Sequence, residues 1–555
     1  MTETTAATAD SPLTSTAARI GWATLILATL YVCYFSHLGA IGFVGPDEPR
    51  YAWIARDMVE TGDWVTPRLY GKPWFEKPPL FYWGAALCFK LFGVSEAAAR
   101  LPSAISALLA TLALAWLALR LYGAETARWL LLLLPTTVGM IGFSHAAATD
   151  MPFSAMLTIA MVCAAVVVGL MRNENTPILP RTPWLALFLF GFFLGLAVLA
   201  KGPAAIILSG GAVFFWALFT KRWRDAFRLF HPAAIASFCL TALPWYILCA
   251  RRNPDFFRIF IVEHNFKRYL TPEFQHIQPF WFYVPVLLVA SLPWITIFLW
   301  SVVKGTAKLW RTRSTSASAS LLLCWAGFCL LFFSLSKSKL PGYVLPALPP
   351  IVLIFTRDLV KRSCSAASRI RWIGVLTGAT ILLLAGIGFR FGNATSIADI
   401  RPAQWIGAAI FMAFPIGILV MLLAAWGKLR IALIVSAGFV VYALHAATWN
   451  PWDFDAVIST RWVAEFMPED HPGFNPKEVA TYRLRRSFHY QLNFYLHREL
   501  LEWDGMETKT KWLLVSPQSV HELQHRGFQC EDNVQLPTLV CEAPKDLVLS
   551  EQPSP

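Results

Sequence analysis

Long apolar runs separated by short polar breaks dominate the chain. A helix needs roughly 20 apolar residues to cross the hydrocarbon core of a bilayer, and somewhat fewer where flanking side chains snorkel. On that rule the pattern predicts thirteen spans, at approximately 20–37, 100–121, 127–144, 152–171, 184–200, 203–220, 231–250, 280–303, 319–335, 343–360, 372–391, 403–426 and 429–447. A further run, 80–94, is apolar but shorter and contains Lys90. Charge decides its place. With a cytoplasmic N-terminus and 80–94 lying in the interface, Arg120 and Arg128, then Lys221, Arg222, Arg224 and Arg228, then Lys304 and Lys308, then Lys428 and Arg430 all fall in cytoplasmic loops. That is the asymmetry expected of a membrane protein. If 80–94 spanned, every later loop would change sides.

Thirteen spans put residues 448–555 on the same outer side as the first long loop, 38–99. There the pattern changes to short strand-like runs at 479–484 and 511–515, an amphipathic helix over 487–500, a second helix over 519–525 and a last apolar run at 536–541. Such an alternation predicts a small α/β domain. The expected division is therefore a polytopic α-helical membrane domain, 1–447, with interfacial helices in its outer loops 38–99 and 251–279, followed by an outer domain, 448–555. No cleavable signal peptide is expected, because the residues before the first span are polar and no small-residue cleavage site follows it. Eight of the ten cysteines lie in or beside spans, where a buried thiol is the default. Cys530 and Cys541 fall in the outer domain, where an oxidising compartment would permit a disulfide across adjacent strands, and two free thiols are the equal alternative.

Composition agrees with the pattern. Hydrophobic residues make up 56% of the chain and charged residues only 15%, against about 25% charged in a soluble protein. That excludes a water-soluble globule and a disordered chain. The net charge of +13 would suggest nucleic acid on a soluble protein. Here the excess sits mainly in the cytoplasmic loops, so it reports orientation, and no nucleic-acid or obligatory protein partner is expected.

Residues with catalytic potential gather on the outer side. The first outer loop, of roughly 60 residues, is too long for a mere connection. Its Asp47-Glu48-Pro49 suits the start of a helix, and Tyr51, Ile54 and Met58 then recur at helical spacing, which predicts an amphipathic helix on the membrane surface. The plain reading of Asp47 is a solvated carboxylate at a helix start; the chemical one is an acid presented at the interface. Glu76-Lys77-Pro78-Pro79 is either a surface ion pair or a carboxylate for a metal beside an amine for a phosphate. Asp150 stands in a very short turn between spans, where a charge is costly unless solvated or paired. Lys201 lies in another tight outer turn. In the loop 251–279, Glu263 and His264 precede Lys267 and Arg268, a set suited to an anionic lipid headgroup, and His264 would pair with Glu76 as a ligand to a divalent cation. Lys337, Lys339 and Tyr343 occupy the turn before the tenth span.

The stretches DEPRYAWIARDMVETGDWVTPRLYGKPWFEKPPLFYW, ARLPSA, ATDMPF, VLAKGP, VEHNF and SKSKLPGYVLPALPP resemble the GT-C superfamily of lipid-linked glycosyltransferases. More closely they resemble the bacterial aminoarabinose transferases related to protein O-mannosyltransferases, along most of residues 19–360. The resemblance implies Asp47 as the essential first-loop acid and Asp150 as the second. It implies Glu76 and His264 as metal ligands, Lys77 and Arg268 (here preceded by Lys267) as groups holding the lipid phosphate, and Lys201 and Tyr343 as donor-site residues, with Lys339 in the same turn. The implied reaction moves 4-amino-4-deoxy-L-arabinose from undecaprenyl phosphate to a lipid A phosphate on the periplasmic face of the inner membrane, giving resistance to polymyxin and cationic peptides. The competing readings are another polyprenyl-phosphate-dependent transferase, with a protein hydroxyl or other glycan as acceptor, and a lipid transporter or flippase. An oligosaccharyltransferase lacks support because the outer domain has no WWD run. A transporter would place its polar groups near the midplane and show repeated halves, whereas these groups lie at one side.

Overall fold

The computed structural model describes residues 16–171, 183–270, 277–312, 316–363, 371–392, 404–449, 455, 458–471, 474–504, 510–530 and 538–544. Every stretch expected to span is helical. Among the described residues eight helices are long and apolar enough to cross a membrane, and nine if one bent pair is counted as a span. Of the expected spans, 203–220, 280–303, 372–391 and 403–426 are represented by shorter apolar helices. Two depart from straight helices. The expected span 127–144 is α5 (Ala124–Leu133) and α6 (Val138–Ser144), set at 62° to each other. The break holds Pro135, which cannot donate to a helix ladder. The backbone groups released there find other partners: Thr136 Oγ1 donates to the Leu132 carbonyl at 2.7 Å, and the Val138 N–H donates to the Leu292 carbonyl at 3.0 Å. The expected span 280–303 likewise divides, into helices Tyr283–Ala290 and Ile295–Thr312.

The run at 80–94 forms α3 (Leu80–Phe92), 13 residues long, which is too short for a straight crossing. It starts after the diproline and ends at Gly93, whose φ of 83° suits glycine alone. With α2 (Asp47–Thr61) it forms a layer on α4 (Glu96–Tyr122), through a core containing Tyr51, Ile54, Met58, Phe81, Tyr82 and Phe89. The membrane part is centred on α7 (Asp150–Val167), which is buried along almost its whole length and packs between α4 and α8 (Trp184–Lys201). A Cβ at Gly191 of α8 would collide with the backbone of Ala234, in the helix Pro232–Arg252. Small residues permit such close helix crossings where lipid offers no hydrophobic drive to pack.

The C-terminal part is a five-stranded sheet in the order β4-β3-β5-β7-β6, from β3 (Val479–Tyr482), β4 (Leu501–Glu502), β5 (Trp512–Val515), β6 (Gln529–Cys530) and β7 (Leu539–Glu542). β3 runs parallel to β4 and β5, while β7 is antiparallel to β5 and β6. Side chains alternate across a strand, and both faces are covered. Val479, Trp512, Leu514 and Val540 pack with Val463, Met467 and Leu492 on one face, and Ala480, Tyr482, Leu513 and Val515 with Leu523 and Phe528 on the other. Both central strands are thus wholly buried, as their apolar runs require. The helix expected over 487–500 spans Arg486–Tyr495 and stops short: the Asn493 carboxamide turns the chain by accepting from the Leu500 N–H at 3.0 Å, which frees residues 501–502 to form an edge strand. Cys530 and Cys541 stand opposite each other in β6 and β7 and are joined by a disulfide.

This domain is pinned to the first outer loop. Asp455 accepts from the Gly42 N–H at 2.6 Å and pairs with Arg461 at 2.6 Å, and Arg461 donates to the carbonyls of Gly39 and Ala40 at 3.1 and 3.2 Å. The Tyr495 hydroxyl bonds Glu96 and accepts from the Phe43 N–H, both at 2.9 Å. Arg56 reaches the Phe494 carbonyl at 3.1 Å, and Asn493 donates to the Tyr70 hydroxyl at 2.9 Å.

Candidate active site

The two acids that open α2 have different tasks. Only 7% of the Glu48 side chain is exposed, against 48% of Asp47. Glu48 accepts from Arg100 Nη2 and Nε at 2.8 and 3.1 Å, and from the N–H groups of Val44 and Ala147 at 2.7 and 2.6 Å. Arg100, fully buried near the start of α4, also donates to the carbonyls of Leu38, Ile41 and Gly42. Glu48 and Arg100 therefore join the end of the first span, the start of α2, α4 and the turn before α7. Asp47 is left at the surface, one residue from this junction, and Asp150 follows Ala147 by three. The two candidate acids are fixed through one shared knot.

Asp47 is held by Arg50, one helical turn on. Arg50 is buried. Its guanidinium also bonds Glu76 at 3.1 Å and the Pro46 carbonyl at 2.9 Å, and it lies 5.7 Å from the Trp74 ring and 5.2 Å from that of Tyr490 in the C-terminal domain. Glu76 in turn bonds Lys77 at 3.2 Å. Asp47, Arg50, Glu76 and Lys77 thus form one continuous chain of charges. Beneath them, burial, reinforced by the charge of Glu76, pushes the phenols of Tyr51 and Tyr82 well above their usual range. They stay protonated and do not act as bases.

The second group forms where α7 begins. Asp150 pairs with Lys201, and the Lys201 ammonium lies 4.6 Å from the Tyr343 ring centroid and 5.7 Å from that of Phe153. A Cβ on Gly342 would collide with the Asp150 carboxylate. Acid, amine and tyrosine, separated by some 190 residues of sequence, therefore share one corner. Lys339 is turned elsewhere, donating to the carbonyls of Gln278 and Ser336 at 3.0 and 2.6 Å. It braces the second outer loop against the turn before the Leu348–Ser363 helix.

The second outer loop is drawn to the first. Phe256 packs edge-on against Phe75 at 5.2 Å, Trp245 Nε1 donates to the Val65 carbonyl at 2.9 Å, and Asn253 bonds Thr66 at 3.0 Å. His264 and Lys267 lie on the π-helical segment Arg258–Lys267, with Lys267 exposed at its end. Arg268 starts the following short helix, and its side chain lies outside the described residues, as do residues 271–276 of the loop. Both oxygens of Glu76 already carry a cation, Arg50 on one and Lys77 on the other. Among the described residues no three His, Cys, Asp or Glu side chains stand together as a protein-only cation site. A divalent cation held by Glu76 and His264 would therefore share Glu76 with Arg50 and Lys77 and would need further oxygen ligands from a substrate phosphate.

Sequence reasoning missed Arg50, Arg100, Trp74 and Tyr490. A signal existed for Arg100, a lone arginine at the start of an apolar span, where an unpaired charge is costly.

Comparison with known proteins gives the same outline. The family model described as dolichyl-phosphate-mannose-protein mannosyltransferase matches residues 20–260. A protein of Erwinia tasmaniensis described as an undecaprenyl phosphate-alpha-4-amino-4-deoxy-L-arabinose arabinosyl transferase is 31% identical over 407 residues, 72% of this chain and 71% of the relative. One of the same description from Yersinia pestis is 33% identical over 417 residues, 73% and 69% of the two chains. Among solved structures, ArnT from Cupriavidus metallidurans bound to undecaprenyl phosphate superposes with a TM-score of 0.77 at 23% identity, covering 95% of this chain and 99% of that one. Its apo state gives 0.75. The fold is GT-C.

Proposed function

We propose that this chain, which belongs to the family of undecaprenyl phosphate-alpha-4-amino-4-deoxy-L-arabinose arabinosyl transferases, moves 4-amino-4-deoxy-L-arabinose from undecaprenyl phosphate to a lipid A phosphate. The reaction takes place on the periplasmic face of the inner membrane. The observation that carries this reading is the half-exposed Asp47, joined through Arg50 and Glu76 to Lys77 and fixed through Glu48 to the turn that presents Asp150, the partner of Lys201.

Both substrates are lipids, so a site at the membrane surface supplies proximity without moving either into water. In the reaction the bond between the anomeric carbon and the donor phosphate oxygen breaks, and an acceptor oxygen forms the new one. The leaving group is a phosphate, and Lys77, with the basic residues of the second outer loop, stabilises its growing charge. A phosphate acceptor, with its second pKa near 6, is largely ionised already, so it needs no strong base. Asp47, held by Arg50, then positions the sugar and offsets positive charge developing on it. Lys201, between Asp150 and Tyr343, shapes the donor pocket. The product carries less negative charge at the lipid A surface, which weakens binding of polymyxin and cationic peptides.

Mass spectrometry of lipid A tests the reading. Cells expressing the intact chain should show lipid A heavier by one aminoarabinose, and cells with Asp47→Asn at equal protein level should not. Unmodified lipid A alongside newly glycosylated protein would replace this acceptor with a protein hydroxyl.

A further inference from the structure

A cavity of about 570 Å³ opens between the β-hairpin of the first outer loop, β1 (Arg68–Leu69) and β2 (Lys72–Pro73), and the C-terminal domain. Two of its walls, Trp74 and Tyr490, are the rings that flank the Arg50 guanidinium at 5.7 and 5.2 Å, so its inner side abuts the group that holds Asp47. Exposed cations, Lys72 from the hairpin and Arg486 from the domain, line it from opposite sides, and the exposed carboxylates Glu499 and Glu502 line it as well. Arg486 is steadied by Tyr490, lying 5.3 Å from its ring and 3.3 Å from its hydroxyl.

This is a mixed lining. Nucleic acid or a simple anionic lipid surface would call for basic residues alone. Aromatic faces pack on the C–H faces of sugar rings, carboxylates accept hydrogen bonds from sugar hydroxyls, and a lysine and an arginine bind phosphate by charge-assisted bonds. Together these are the groups that a phosphorylated sugar requires.

Resting on the function proposed above, we infer that this cleft binds the phosphorylated disaccharide headgroup of the acceptor, with Lys72 and Arg486 on its non-reacting phosphate. The C-terminal domain thereby completes the acceptor site. Domain and hairpin select the acceptor, and the loops nearer the bilayer select the donor.

The test uses the full chain, purified in detergent, with the polyprenyl-phosphate donor and bisphosphorylated lipid A. Initial rates are measured for the native protein, Lys72→Gln, Arg486→Gln and the double variant. Loss of one charge-assisted bond should raise the acceptor KM of each single variant about tenfold and leave the donor KM and kcat unchanged. With a lipid A lacking the non-reacting phosphate, the native protein should fall to the level of the variants, and the variants should lose little more. An unchanged acceptor KM, or equal losses for donor and acceptor, would overturn the assignment. Failure of the native protein to transfer at all would instead refute the proposed function.

Discussion

Glu48→Gln separates the role of the buried acid from that of its exposed neighbour. The substitution keeps the shape of the side chain and removes its charge. In the native protein that carboxylate takes two bonds from Arg100 and one each from the N–H groups of Val44 and Ala147. The variant strands a buried guanidinium, and removing one partner of such a pair costs about 3–5 kcal/mol. The carbonyls of Leu38, Ile41 and Gly42 still accept from Arg100, which places the charge loss near the lower figure. The new amide also points its NH₂ at a donor, leaving a buried group unsatisfied at about 1–3 kcal/mol. The sum, about 4 kcal/mol or more, is a large part of a typical folding margin of about 5–15 kcal/mol. The assay is the fraction of detergent-solubilised protein that stays monodisperse after heating. Glu48→Gln should lose monodispersity at clearly lower temperature than the native chain, and Asp47→Asn should match it while losing transfer. Adding Arg100→Leu to Glu48→Gln should restore part of the heat resistance, because it removes the stranded charge. A Glu48→Gln protein as heat-resistant and as active as the native one would refute the division of labour between the two acids.

Gly342→Ala should place a methyl against the Asp150 carboxylate, disturb its pairing with Lys201 and lower transfer sharply at near-native expression; native turnover would show that the pairing is not needed. In the C-terminal domain, burial lowers the His489 pKa from the usual 6.5, against an opposing pull from Glu502 and Glu499. The folded protein therefore resists protonating this ring more than the unfolded chain does. Its contribution to stability is present above about pH 6.5 and is lost as pH falls below that value toward the lower folded pKa. His489→Gln should thus lessen the loss of heat resistance between neutral and mildly acid pH, and an unaltered pH profile would contradict the cause. The Cys530–Cys541 disulfide closes a loop with a sequence separation of 11, for which loop closure predicts about 3 kcal/mol. Cys541→Ser should make the C-terminal domain markedly more sensitive to proteolysis, and equal digestion rates would argue against the bond as a brace.

Much of the architecture was legible because a bilayer leaves few options. Apolar length located the helical segments, and α3, at 13 residues, is as short as its apolar run. The bend between α5 and α6 carried its own mark in Pro135. The acids and amines at Asp47, Glu76, Lys77, Asp150 and Lys201 were legible as types at one side of the membrane. Their partners were not. Neighbouring helical residues point about 100° apart, so only packing decides which of Asp47 and Glu48 turns inward to Arg100. A lysine in a turn, such as Lys339, gives no sign in sequence of the carbonyls it will find. Tyr490 reaches Arg50 from a different domain, a pairing that no local pattern encodes. The edge strands β4 and β6 went unread because two residues are too few for a period.

The contact between Gly42 and Asp455 joins positions 413 residues apart, and this has a consequence in time. At roughly 5–20 residues per second, α2 and its acid wait about 20–80 s at the membrane before the clamp that seats them has been synthesised. The hairpin, Arg50 and Tyr490 can therefore meet only once the last fifth of the chain has been made, so the surroundings of Asp47 are assembled last.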